Sequence, residues 1–310
     1  MELAVSVIIC THNPKSDYFD KVLAALRSQT LLFEQWELLL IDNASEQLLS
    51  SVIDLSWHPK ARHLREEELG LTPARLRGIR EAKAETLVFV DDDNVLESDY
   101  LEVALQISKD YPMIAVWGGQ TIPEFEVIPP DWTKRYWGYL AVREFEQERW
   151  SNLIHQHETT PYGAGLCVRK IVAEKYAYLV KHDPMRLGLG RKGSDNKARI
   201  LFACEDTDIA FTSCDMGFGT GIFTALRLKH LIPASRITEE YLERIVEGTT
   251  YSLTILESFR GKIPNSQEPL WKIKLSEYYR LWKMHPKERR LFKAQIRGKA
   301  LAVQKILNPQ

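Results

Sequence analysis

The sequence predicts an α/β fold, a mostly parallel sheet flanked by helices, on three observations. Short apolar, β-branched runs recur through the first hundred residues, and each is followed by a segment whose apolar residues fall at helical spacing. The runs lie about 25–30 residues apart, the length of βαβ units, whose right-handed crossovers make neighbouring strands parallel. The composition is that of a globular chain with room for one large domain or two small ones: 310 residues, 45% hydrophobic and 27% charged. Disordered, collagen-like and coiled-coil classes are excluded on the same numbers.

The first run, Val5-Ser6-Val7-Ile8-Ile9-Cys10, opens into Thr11-His12-Asn13-Pro14 and then an amphipathic stretch through Val22, Leu23 and Leu26. The second, Trp36 to Ile41, ends at Asp42-Asn43-Ala44-Ser45. A shorter third, Ala61 to Arg65, leads to Gly70 and a helix through Ala74 and Ile79, and the fourth, Thr86 to Val90, ends at Asp91-Asp92-Asp93-Asn94. Open α/β sheets bind ligands at the carboxyl ends of their strands. Thr11, Asn13, Asp42 and Asp91 to Asp93 are therefore expected to converge in one crevice.

Beyond Tyr111 the pattern changes. Strand-like Ile114 to Trp117 precedes a Pro-rich, aromatic loop holding Trp132 and Trp137; Gly163-Ala164-Gly165 precedes Leu166-Cys167-Val168; and a polar, Gly-rich stretch from Gly188 to Arg199 precedes Cys204-Glu205-Asp206-Thr207-Asp208. This half is expected to supply an acceptor-binding wall and a mobile lid.

With 41 basic and 42 acidic residues the net charge is -1, so no chain-wide field points to nucleic acid and none is expected as a partner. The tail from Leu270 departs from that balance, with eleven Lys or Arg against two Glu. Leu275, Tyr278, Tyr279 and Trp282, with bases between them, read as a basic amphipathic helix, either packed on its own domain or docked on a membrane surface or partner. Cys10, Cys167, Cys204 and Cys214 have neither metal-binding spacing nor the density of a disulfide scaffold. No export signal and no membrane span are read. The expected setting is the reducing cytoplasm, with peripheral contact at the inner face of the membrane through the tail.

Three consecutive aspartates after a hydrophobic strand raise one another's pKa unless something neutralises them. A divalent cation does so, and hard oxygen ligands suit Mg²⁺ or Mn²⁺; the other reading is a solvated acidic turn capping the next helix. Glu205, Asp206 and Asp208, taken by themselves, read as the acidic first turn of a helix running through Ile209, Phe211 and Thr212.

In order, Val7-Ile8-Ile9-Cys10-Thr11-His12-Asn13, Asp42-Asn43-Ala44-Ser45, Gly70-Leu71-Thr72-Pro73-Ala74-Arg75 with Gly78, Val88-Phe89-Val90-Asp91-Asp92-Asp93-Asn94 and Glu205-Asp206 resemble the family-2 glycosyltransferases of the GT-A fold, over roughly the first 230 residues. The resemblance implies a Rossmann-like nucleotide-diphospho-sugar transferase domain over 1–235, with a nucleotide-binding half (1–110) and an acceptor half (111–235). Residues 236–310 are then a helical, basic C-terminal extension. It implies an inverting, metal-dependent enzyme that moves one sugar from a nucleotide-sugar, with UDP the expected nucleotide, to a hydroxyl of a glycan or lipid-linked acceptor in surface polysaccharide or glycolipid synthesis.

Residue by residue, the resemblance matches Thr11 and Asn13 to the loop along the nucleotide, Asp42 to the acid that binds uracil or ribose, and Arg75 and Gly78 to the helix supporting the diphosphate. Asp91 to Asp93 match the DxD motif, in which either Asp91 or Asp92 can be the first member. Asp91 and Asp92 are thus assigned to the nucleotide-sugar, and Asp91 and Asp93, with a C-terminal His230, to Mn²⁺ or Mg²⁺. Asp206 matches the catalytic base, and Gly163, Ala164 and Glu205 match acceptor-contacting positions. Trp132 and Trp137 are either stacking platforms for sugar rings or buried aromatics.

Two departures accompany the match. Leu76 stands where family members often have Asn, and Gln147-Glu148-Arg149-Trp150 is one residue shorter than the Gln-x-x-Arg-Trp motif of processive synthases and precedes the Glu-Asp pair, so single-sugar transfer is expected. The competing readings are a non-catalytic nucleotide-sugar or glycan-binding module and a sugar-nucleotide pyrophosphorylase. The latter needs a Gly-rich loop after the first strand, where this chain has Thr11-His12-Asn13-Pro14.

Overall fold

A computed structural model describes residues 3–154, 156–190, 200, 202–262 and 278–308. Strand β1 (Val5–Thr11) shows how the sequence builds the layers. Successive side chains of a strand point to opposite faces, and because β1 is apolar at nearly every position, both faces are buried. Val5, Val7 and Ile9 pack with Phe19, Val22 and Leu26 of helix α1 (Ser16–Arg27), whereas Ile8 faces Ala74 and Ile79 of α2 (Leu71–Glu81). Gly78 is what lets α2 lie this close, since a Cβ there would stand 2.4 Å from Ile8 Cγ2.

Strands β2 (Trp36–Asn43), β3 (Ala61–Glu66) and β4 (Thr86–Val90) complete a parallel block in the order β3-β2-β1-β4. The chain leaves β1 on one side for β2 and β3, then returns on the other side as β4. That reversal opens a crevice at the carboxyl ends of β1 and β4, where Thr11 and Asp91 follow. After β5 (Asn94–Leu96) and α3 (Tyr100–Asp110) the sheet becomes mixed. Strand β6 (Ile114–Phe125) outruns its expected four residues, β7 (Arg149–Ser151) is short, and β8 (Cys167–Arg169) lies antiparallel between β4 and β6. Helices α4 (Lys170–His182), α5 (Pro184–Leu187) and α6 (Glu205–Asp215) precede the long β9 (Gly219–Ile232), which pairs with β5, β6 and β7. The mostly parallel sheet of the sequence reading is thus strictly parallel in its first half and mixed in its second.

The aromatic loop is a 3-10 helix over Asp131–Leu140. It packs on α7 (Glu239–Ser258) and α8 (Pro286–Leu307) around Tyr136, Leu140, Leu242, Ile245 and Leu291. Arg297 of α8 binds Glu243 and Glu247 of α7, at 2.8 and 2.6 Å, which locks the two helices together. Tyr278, Tyr279 and Trp282 fall in a helical turn over 278–283; Leu275 lies outside the described residues, as does 191–199, the greater part of the expected lid. Among the described residues no helix is long and apolar enough to cross a membrane.

Burial also sets an acid limit to stability. His58 sits edge-on to Trp36, with ring centroids 4.1 Å apart, and its Nδ1 accepts the Lys60 N–H at 3.1 Å, which requires the neutral ring. Burial lowers its pKa from 6.5 to about 4. Between those values the unfolded chain binds a proton that the fold excludes, so stability falls as pH drops from 6.5 towards 4. Denaturant midpoints across that range should show this slope, and it should flatten in His58→Phe, which keeps a ring and removes the titration.

Candidate active site

One cavity of about 1160 Å³ opens at the carboxyl ends of β1, β2 and β4. Its donor-side floor is built from turns laced to one another. Asn13, held at φ 49°, donates its N–H to Ser45 Oγ (3.0 Å) and accepts the Glu46 N–H on Oδ1 (2.9 Å), tying the β1 loop to the β2 turn. Asn43 accepts the Gly70 N–H at 2.8 Å and so positions the start of α2. Asp42 is buried behind this surface. Burial opposes its charge, but hydrogen bonds from Ser45, Leu49 and Arg65 outweigh that and hold its carboxyl below the usual range. Asn43 and Glu46 line the cavity in front of it, and Asp42 orders the turn that carries them.

The aspartate triplet divides its work three ways. Asp91 is half-exposed and faces Arg75, Nη2 to Oδ1 3.8 Å. Asp92 accepts a short hydrogen bond from the Thr11 hydroxyl, and burial, then the neighbouring Asp93, push its pKa up to about 7. Asp93 is buried too, yet His230 and Arg236 overcome the desolvation and hold its pKa well below the ordinary value. The β5–β9 register sets Asn94 opposite His230, which brings His230 Nε2 to 3.4 Å from Asp93 Oδ2. Arg236 Nη1 donates to the same oxygen at 2.7 Å.

Carboxylate oxygens and an imidazole are the donor types that Mn²⁺ or Mg²⁺ accepts, and His230 Nδ1 is buried without a hydrogen-bond partner. Among the described residues no three acidic, His or Cys groups form a ready-made cage. Such ions commonly take one or two protein carboxylates and fill the remaining positions with phosphate and water, so the residues present fit a cation of this class.

Arg75, reaching out of α2, joins the donor side to the opposite wall. Its guanidinium is buried, which disfavours its charge, but Glu205, Asp91 and Asp206 more than compensate and raise its pKa. Glu205 Oε1 lies 3.4 Å from Nη1. The side chain of this helix that reaches the aspartates is thus Arg75. Next to Glu205, Asp206 lines the cavity with both oxygens engaged: Oδ2 accepts the Gly163 N–H and Oδ1 the Thr207 N–H, each at 2.7 Å. Gly163 fits because a Cβ there would approach Arg75 Nη2 at 3.0 Å and Asp206 Oδ2 at 3.3 Å. Ala164 completes that edge. Cys204, at φ 93°, strains the backbone immediately before this pair. Asp208 points elsewhere, into a buried cluster with Arg186 and Arg260.

The far wall was missed by sequence reasoning. It comes from Tyr139 to Ala141, from Arg143, and from Tyr241, Ile245 and Leu253 of α7. Arg143 stacks over the Tyr162 ring at 3.9 Å and donates to the Thr160 carbonyl. Trp132 and Trp137, by contrast, pack against Tyr136 and Phe125 and do not line the cavity. Arg236 was missed as well, since nothing in Ala234-Ser235-Arg236-Ile237 signals a partner for Asp93.

The sequence profile of glycosyl transferase family 2 matches residues 6–172. A glucosyl-dolichyl phosphate glucuronosyltransferase of Haloferax volcanii is 23% identical over 140 residues, 44% of each chain. Polypeptide N-acetylgalactosaminyltransferase 8 of Drosophila melanogaster is 32% identical over 103 residues, 32% of this chain and 18% of that one. The chain thus spans less than half the length of these curated relatives. Among solved structures, S. aureus TarS 1-349 in complex with UDP-GlcNAc superimposes with a TM-score of 0.53 at 13% identity, covering 97% of this chain and 82% of that one; the likeness is one of fold. With the profile running across more than half of its residues and the fold reproduced, the chain belongs to glycosyl transferase family 2.

Proposed function

We propose that the protein is an inverting, metal-dependent transferase that moves a single sugar from a UDP-sugar to an acceptor hydroxyl, in surface polysaccharide or glycolipid assembly. The observation that carries this reading is Asp206, held by two backbone amides in the same cavity as the aspartate triplet, with its neighbour Glu205 tied to Asp91 through Arg75. Thr11 and Asn13 run along the nucleotide, the Asp42 turn receives the base or ribose, and Asp92 faces the sugar-phosphate. Asp91 and Asp93, with His230, are the residues that would hold Mn²⁺ or Mg²⁺, and when bound the ion offsets charge on the departing diphosphate. Gly163, Ala164 and Glu205 border the acceptor. Asp206 takes the proton of the acceptor hydroxyl as its oxygen bonds to the anomeric carbon; the bond to phosphate oxygen breaks on the opposite face, and the nucleoside diphosphate leaves with the electron pair, inverting that carbon.

The test is thermal stabilisation by UDP-, GDP- and TDP-sugars, each with Mn²⁺, Mg²⁺ or a chelator. A UDP-sugar should raise the melting temperature only with metal, and Asp93→Ala should abolish the metal dependence. No response to any nucleotide from folded protein would overturn the reading. Donor binding without turnover on any acceptor would favour a binding module.

A further inference from the structure

Two segments far apart in sequence, each leaving large apolar groups in solvent, flank the contact between the 3-10 helix and the start of α8. In the loop after β6, Ile128 is 96% exposed and Val127 is also exposed. Ahead of α8, Tyr278 and Trp282 are 71% and 69% exposed, and Tyr279 is exposed beside them. The segments join where Lys287 lies over the Trp132 ring at 5.2 Å and Arg135 binds Glu288 at 2.6 Å.

The cations of this end are arranged around rings and carbonyls. Lys283 lies over Tyr279 at 4.3 Å, and Arg289 donates to the carbonyls of Trp282 and Met284 at 3.3 and 3.0 Å. Residues 278–308 hold nine Lys or Arg and one Glu on a chain whose net charge is -1; Arg290 and Arg297 pair with Glu243 and Glu247 of α7, and the remaining bases give this end its positive character. The remainder is correspondingly acidic, so an anionic surface would attract this end and repel the rest.

We propose that this end docks on an anionic lipid bilayer, with Ile128, Trp282, Tyr278 and Tyr279 entering the interfacial layer and Lys283, Lys287 and Arg289 meeting the head groups. Trp and Tyr favour the boundary between head group and acyl chain, and bases beside them add attraction to anionic lipid. The contact itself stands apart from the transferase reading; its consequence rests on that reading. The 3-10 helix carrying Trp132 at the docking end also lines the cavity with Arg135 and Gly138 to Ala141, so docking would bring the cavity wall beside the membrane and suit a lipid-linked acceptor.

The experiment is vesicle co-sedimentation of the full chain with phosphatidylcholine alone and with phosphatidylcholine containing about one-third phosphatidylglycerol, at low and at physiological salt. Binding is expected only to the anionic vesicles and should weaken with salt. Ile128→Ser and Trp282→Ser should each weaken it roughly tenfold, and Lys283→Gln with Lys287→Gln should flatten its salt dependence. The Ile128 and Trp282 changes should leave the melting temperature and its response to UDP-sugar unchanged, which keeps this result separate from the test of donor binding. Absence of anionic-vesicle binding by the parent chain, or equal binding by the Ile128→Ser/Trp282→Ser variant, would overturn the proposal. So would a concentration-dependent dimer in sedimentation velocity that these substitutions dissolve, because a second copy would then be the occupant.

Discussion

Asp206→Asn is expected to lower turnover by about a thousandfold, within the range of about 10²–10⁴ that a positioned general base contributes. Donor affinity should stay within a few-fold, because the amide keeps the size of the side chain and the aspartate triplet is untouched. The hydrogen bonding predicts a second, smaller effect. Both oxygens of Asp206 accept backbone N–H groups, from Gly163 and Thr207. Asparagine offers one oxygen and one NH₂, so one of those amides loses its acceptor and the fold should weaken by about 1–3 kcal/mol. Steady-state kinetics with donor titration and thermal denaturation read the two effects separately. Near-normal turnover with the stability loss intact would mean that Asp206 only orders the loop and that the base lies elsewhere.

Arg75→Leu has the largest expected effect on stability. The side chain is buried between Glu205 and Asp91, and its removal takes a buried cation away from both carboxylates. Breaking one side of such a pair costs about 3–5 kcal/mol. Adding Glu205→Gln should restore part of the lost stability, giving a favourable coupling in a double-mutant cycle. Equal losses in the presence and absence of the Glu205 carboxylate would show that Arg75 acts through packing on Phe89, whose ring it overlies at 5.4 Å.

The parallel block was legible because burial on both faces writes itself as unbroken apolar runs; Thr86–Val90 matches its reading residue for residue, and Val5–Thr11 within one. Convergence of Thr11, Asn13 and Asp91 to Asp93 followed from topology alone. Strand β9 was not anticipated, although Leu226, Arg227, Leu228, Lys229 and His230 alternate between buried and exposed, the period of a half-buried strand. The stretch attracted attention only for its histidine. The 3-10 helix over Asp131–Leu140 was hidden by Pro129 and Pro130 just before it and by its own aromatics, which read equally well as a loop. Arg236 and the α7 wall had no local signal, because what defines them is the packing of distant segments. Asp42 shows the limit from the other side: the acid was found, but its hydrogen bonds to Ser45, Leu49 and Arg65 depend on a turn geometry that composition does not encode.

The order of strands has a consequence for inheritance. Thr11, Asn13, Asn43, Arg75 and Asp91 to Asp93 all lie on one contiguous piece of chain that ends before β5, so this part of the site can be transplanted as a block only if His230 and Arg236, which reach Asp93 from the end of β9 and the turn after it, go with it. The far wall is assembled from residues near 139–143, 160–164 and 241–253, three stretches that must change together. The family profile covers the first of these two parts and, ending at residue 172, stops short of α7.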